Sequence, residues 1–186
     1  MPKLYVALTH YPVVNKNGDT IASALTNLDL HDISRAAMTY GVKSFYVVTP
    51  LNDQQLLARR IISHWTNGAG AAYNPARRRA LEIIRVKESI EDAAKEIENT
   101  EGIYPKTAVT CARQHTASIS YEKFGRVLEN GMPYLLVFGT AWGLAETLIA
   151  EADYVLQPIT GTTDYNHLSV RSAAAIILDR LLGAER

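Results

Sequence analysis

Six short apolar runs punctuate the chain, at 4–8, 44–50, 83–86, 106–112, 134–138 and 154–159, and most are followed by a turn signal and then by apolar positions at helical spacing. Their length and their content of branched and aromatic residues predict strands, although for 83–86 periodicity alone admits a helix as well. Thr26-x-x-Asp29 forms a capping box ahead of a buried face of Leu30, Ile33, Ala37 and Tyr40 that stops at Gly41. Asn52-x-x-Gln55 reads as the cap of a second helix with Leu57, Ile61 and Trp65 four apart. Asn74-Pro75 opens a short helix, and Ser89-x-x-Asp92 opens an acidic one running to about Glu98. Another begins near Ser120, burying Tyr121, Phe124, Val127 and Leu128 before Gly131; in the last, Val170, Ala173, Ala174, Ile177 and Leu181 share a face. The stretches 15–19 and 67–73 read as turn and loop. Six alternations of strand and helix predict an α/β fold, a parallel sheet of about six strands with helices on both faces, with residues 1–186 as one domain.

Two glycine loops at strand ends draw the functional reading. The run 134–138 stops at Gly139-Thr140-Ala141-Trp142-Gly143-Leu144, where bare backbone can approach a ligand. The run 154–159 is broken by Pro158 and leads into Thr160-Gly161-Thr162-Thr163-Asp164, a loop rich in turning and donating residues. Arg113-Gln114-His115-Thr116 follows the fourth strand at the same sheet edge, where open α/β sheets place ligands. The dinucleotide and nucleoside-triphosphate glycine fingerprints are both missing, and the five histidines show no metal spacing.

Charge narrows the partners. Nineteen basic and nineteen acidic residues cancel, so no overall positive field draws nucleic acid, and an RNA contact has to be a local patch. Arg77, Arg78 and Arg79, the densest positive cluster, are the candidate, with Tyr73 beside them as a stacking ring; a solvated helix face is the other reading. One cysteine, Cys111, excludes an internal disulfide and suits a cytoplasmic setting. No apolar run reaches the length of a membrane span, and the first residues lack the order of a signal peptide.

These motifs together resemble those of the SPOUT methyltransferases, knotted α/β enzymes that methylate RNA with S-adenosylmethionine. Gly139, Gly143 and Leu144 match the family's second motif; Pro158, Gly161, Ser169 and the helix from Ala173 to Leu178 match its third; Arg35, six residues before Gly41, matches its first. The resemblance implies a C-terminal trefoil knot, S-adenosylmethionine as cofactor, a homodimer, and a tRNA or rRNA substrate. It further implies that Gly139, Thr140, Gly143, Leu144, Gly161 and Ser169 hold the cofactor, with Leu136, Phe138, Ile159 and Leu168 as apolar walls. Arg35 would polarise the acceptor or hold a phosphate, and His31, one turn earlier, and His167 are candidates for proton transfer. Ala141 stands where the ribose-methylating branch has glutamate, and His167 where it has asparagine, so a ribose 2′-hydroxyl and a base nitrogen both stay open as acceptor. A non-catalytic module holding a nucleotide or S-adenosylmethionine and associating with RNA is the alternative.

Overall fold

β1 (Lys3–Thr9) is buried along nearly its whole length because its side chains alternate between two apolar layers, Leu4, Val6 and Leu8 on one face, Tyr5 and Ala7 on the other. Within residues 2–184, which the computed structural model describes, it is flanked by β4 (Phe45–Val48) and β7 (Pro133–Gly139). β5 (Ile84–Lys87), β6 (Lys106–Val109) and β8 (Tyr154–Val155) complete a sheet in the order β5-β4-β1-β7-β6-β8, with every pairing parallel. Residues 84–87, which periodicity left open, pair with β4 as a strand.

One face of the sheet is covered by α1 (Asn27–Thr39), α2 (Asn52–Thr66), α4 (Pro75–Leu81), α6 (Tyr121–Val127) and α8 (Val170–Leu182); the short α3 (Ala69–Tyr73) packs on α2 and α4. The opposite face is covered by α5 (Ile90–Glu101), through Ala93 and Ile97, and by α7 (Glu146–Glu151), through Ile149. Parallel strands with both faces covered need two apolar layers, as the alternation along β1 provides. Thr26 and Ser89 cap α1 and α5 by accepting from the amides of Asp29 and Asp92.

Three local expectations change, and a fourth, the turn at 15–19, holds and gains flanking strands. Residues 69–73 form α3 rather than loop, held by the Ala71 amide donating to the Gly68 carbonyl. The turn at 15–19 closes a small hairpin of β2 (Val13–Val14) and β3 (Thr20–Ile21), with Asn15 Oδ1 accepting from the amides of Asn17 and Asp19. α2 has no side-chain cap: Leu51 is its N-cap, and Gln55 reaches back to the Thr49 carbonyl at 2.9 Å. Its fully buried positions are Gln55 and Ala58; of the expected face, Ile61 and Trp65 pack against the core, while Leu57 is exposed because the face is rotated away from it. The last strand pairs only over Tyr154–Val155, with Leu156 bridging Ile119, because Pro158 cannot donate to a ladder.

Candidate functional site

The carboxyl ends of β7 and β6 open into a cavity of about 820 Å³, within the size range of small-molecule sites. Its floor is the turn after β7. Gly139 pairs with Thr9, and the Thr140 hydroxyl donates to the Thr9 carbonyl (3.2 Å) and shares a hydrogen bond with Ser23 (2.5 Å). A Cβ on Gly139 would lie 2.8 Å from the Leu144 amide nitrogen and 2.7 Å from its side chain, so only glycine lets the loop fold back this tightly. Gly143 takes φ +109° and Ala141 φ +52°, which turn the chain twice in five residues. The β2–β3 hairpin fixes this turn from outside: Trp142 donates to the Val14 carbonyl and Val14 to the Gly143 carbonyl.

The opposite wall is the stretch from Gln157 to Val170. Tyr121 on α6 donates to the Gln157 carbonyl at 2.5 Å, and Asn166 donates to the Ala112 carbonyl at 3.0 Å, which ties this segment to the loop after β6. Ser169 caps α8 by accepting from the Ser172 amide, and its neighbours Leu168 and His167 line the cavity. The cavity is therefore walled by Phe138, Leu144, Ile159 and Leu168, with Thr26, Asp29, Cys111 and Arg113 among its polar lining.

Of the residues singled out for cofactor binding, Phe138, Gly139, Thr140, Gly143, Leu144, Ile159, Leu168 and Ser169 line this one cavity. Leu136 does not; it is fully buried in the core beneath. Gly161 lies in the exposed part of the loop outside the lining, with open space around a Cβ. His167 is in the lining, its ring edge-on to Tyr165. His31 and Arg35 are not. His31 stands edge-on to Trp65 at 5.2 Å, and burial, then the nearby Arg77 charge, push its pKa below the ordinary imidazole value. Arg35 is exposed on α1 and makes no side-chain hydrogen bond or ion pair among the described residues.

The arginine triplet divides. Arg77 stacks over Trp65 at 4.6 Å, inside the packing of α1, α2 and α4. Arg78 pairs with Glu82 at 2.7 Å, and Arg79 is exposed, as is Tyr73.

Two residues outside the lining that act on Asp29 within it carry no clear signal in the sequence. Arg171 on α8 holds its Nε 3.6 Å from Asp32 and 3.9 Å from Asp29, so Asp32 faces the last helix rather than Arg35. Its only mark there is being the single charge within 169–178. The other is His10, fully buried after β1, with neither ring nitrogen hydrogen-bonded. Burial holds its pKa below 6.5 against the opposing pull of Asp29 and of the Val48 and Leu8 carbonyls.

Because His10 and His31 are depressed in the fold, the unfolded chain binds more protons below about pH 6.5. Stability should be complete above that value and fall as pH drops toward the folded pKa values. Urea titrations at pH 7.5 and 5.5 check this; His10→Gln should flatten the difference, and an unchanged slope would acquit His10.

A sequence profile described as SAM-dependent RNA methyltransferase matches residues 3–183. A protein named tRNA (guanine-N(1)-)-methyltransferase from Oleidesulfovibrio alaskensis is 46% identical over 180 residues, which is 97% of this chain and 42% of the relative. The chain thus spans less than half the length of that curated relative. An uncharacterized protein of Aquifex aeolicus is 36% identical over 184 residues, covering 98% of this chain and 90% of its own length. Among solved structures, a probable methylase family protein from Haemophilus influenzae superposes with a TM-score of 0.65 at 18% identity, covering 98% of this chain and 66% of the other.

Proposed function

The chain belongs to the SAM-dependent RNA methyltransferase family, and from that premise we propose that it holds S-adenosylmethionine in the cavity at the ends of β7 and β6 and transfers its methyl group to an RNA. The observation that carries this is the gathering of the glycine turn, 138–144, and of 166–170, the stretch that leads into α8, around one cavity of about 820 Å³. The lining suits the group. Apolar walls from Phe138, Leu144, Ile159 and Leu168 fit an adenine ring, and the Asp29 carboxylate is the acidic side chain in the lining, facing a ligand that carries a positive sulfonium. The non-catalytic module is not favoured, since the matching family is one of methyltransferases.

Bound there, S-adenosylmethionine supplies a methyl group already activated by the sulfonium. The protein's residues then position, exclude water and manage one proton. The turn 139–144, pinned by Val14, presents a fixed backbone, and the 157–170 segment closes the other side. As the acceptor oxygen or nitrogen forms its bond to carbon, it must give up a proton. His167 is the imidazole in the lining and is assigned that role. Arg35 and His31, outside the lining, serve this chemistry only if a second copy of the chain carries them to the cavity. The homodimer is proposed on that ground, and Arg35, exposed and unpaired among the described residues, supports it. Arg78 and Arg79 with Tyr73 are proposed as the outer RNA contact, supported by their exposure, whereas Arg77 is committed to Trp65.

The trefoil knot belongs to the same proposal, supported by the way 157–166 is tied to Tyr121 and Ala112 on either side of the 110–120 loop. A tRNA substrate is supported by the name of the Oleidesulfovibrio relative, of which this chain matches only part. No helix among the described residues is long and apolar enough to cross a membrane.

Calorimetric titration with S-adenosylmethionine, followed by incubation with labelled cofactor and total cellular RNA, tests the reading. Saturable binding with label entering RNA is expected, and nuclease mapping then separates ribose from base. No binding at millimolar cofactor would overturn it. Arg35→Ala is expected to keep cofactor affinity and to lower transfer by roughly 10²-fold or more, the size of a lost transition-state contact; full transfer in that variant would remove Arg35 from the site.

A further inference from the structure

Trp142 stands 67% exposed at the rim of the cavity. An indole is among the costliest side chains to leave in water, and here its position is not an accident of a loose loop. Its own amide donates to Val14, the next residue's carbonyl accepts from Val14, and Val13 bridges Leu144, so three backbone contacts to the β2–β3 hairpin hold the ring's base in place. The residue before it, Ala141, takes a left-handed φ of +52° to turn the chain here. His167 stands on the 157–170 wall of the same cavity with Tyr165, 72% exposed, edge-on to it, and Arg113 at the rim is tied to Glu146.

We infer that Trp142 is a stacking platform for an unpaired nucleobase of the RNA substrate, beside the position where the methyl group is delivered. The inference rests on the methyltransferase reading. A flat, fixed aromatic face is what an unstacked base needs, because every base has a π-face and the ring loses little freedom on contact. A protein partner would call for a wider apolar surround, whereas Thr140 and Arg113 make this rim polar, as a nucleotide's sugar requires. Base-paired RNA keeps its bases stacked on each other, so the platform selects single-stranded or flipped-out nucleotides.

The test uses the full chain, S-adenosylhomocysteine as the cofactor probe, and single-stranded oligoadenylate against the same strand in duplex with oligouridylate. Single-stranded oligoadenylate should quench tryptophan emission, the duplex should quench far less, and the single-strand response should vanish in Trp142→Phe, which leaves Trp65 in place. Trp142→Leu should weaken oligoadenylate binding, and raise KM for the methylated RNA fraction, by roughly 5- to 150-fold. Trp142→Phe should recover much of that loss, and S-adenosylhomocysteine affinity should stay the same in both variants. Unchanged quenching and KM in Trp142→Leu, with cofactor still bound, would overturn the platform alone. So would loss of cofactor affinity in that variant, which would give the indole to the cofactor's adenine, or a shift in sedimentation, which would give it to a subunit contact. Failure of the unaltered protein to bind S-adenosylhomocysteine would overturn the methyltransferase reading itself.

Discussion

Gly139→Ala should cost the protein most of its affinity for S-adenosylmethionine. The added methyl group would meet the Leu144 amide nitrogen at 2.8 Å and the Leu144 side chain at 2.7 and 2.9 Å. A side-chain tip could yield, but a backbone nitrogen cannot without moving the loop. Leu144 is itself buried, bridged to Val13 and packed in the layer under α7, so it has little room to retreat. Overpacking of this kind costs about 1–3 kcal/mol. Where ligand binding needs the loop in its present shape, that cost surfaces as roughly one to two orders of magnitude in Kd. Gly161→Ala is the control, since nothing lies within 4 Å of its Cβ position; its affinity should match the unaltered protein. Calorimetry on the two variants reads both, and equal affinities in them would show that the turn after β7 is not the cofactor's seat.

The second large effect is on stability. Phe124 is fully buried on α6, edge-on to Tyr134 at 5.7 Å and tilted against Tyr154 at 5.3 Å. It ties α6 to β7 and β8 together, and one turn earlier Tyr121 holds the Gln157 carbonyl. Phe124→Ala should lose about 3–5 kcal/mol through the cavity left behind, which for a chain of this length lowers Tm by roughly 6–20 °C. Because α6 also seats one wall of the site, cofactor affinity should fall at temperatures where the variant is still folded. Thermal unfolding followed by circular dichroism, with titration at 15 °C, separates the two losses. A variant that unfolds within 2 °C of the parent would show that the aromatic cluster contributes little.

The two glycine-loop segments were legible because their signals are local. An apolar run that stops at glycines, or at a proline followed by a polar loop and a serine cap, reports a strand end and a helix start within a dozen residues. Such patterns also carry the family resemblance, and eight of the ten residues singled out for the cofactor line one cavity. Leu136 and Gly161 show where locality stops. Leu136 alternates like Phe138 along β7, yet it lies one pleat too far from the strand end to meet a ligand. Gly161 looks like the glycines before it, but no atom crowds it and the cavity lies elsewhere.

Alternation of apolar runs and helices, cap residues and turn residues, all read within a few neighbours, determined by themselves that this chain forms parallel strands with helices on both faces and loops gathered at their carboxyl ends. Only the tertiary structure decided what each charged side chain faces. Arg77 turned inward over Trp65 rather than out to a phosphate, Asp32 met Arg171 from the last helix rather than Arg35 on its own, and the His10 ring was enclosed with neither nitrogen hydrogen-bonded among the described residues. Those outcomes depend on contacts between residues from twelve to more than a hundred positions apart. A long side chain reaches whichever partner the packed helices bring within a few ångströms, and no spacing along the chain records that.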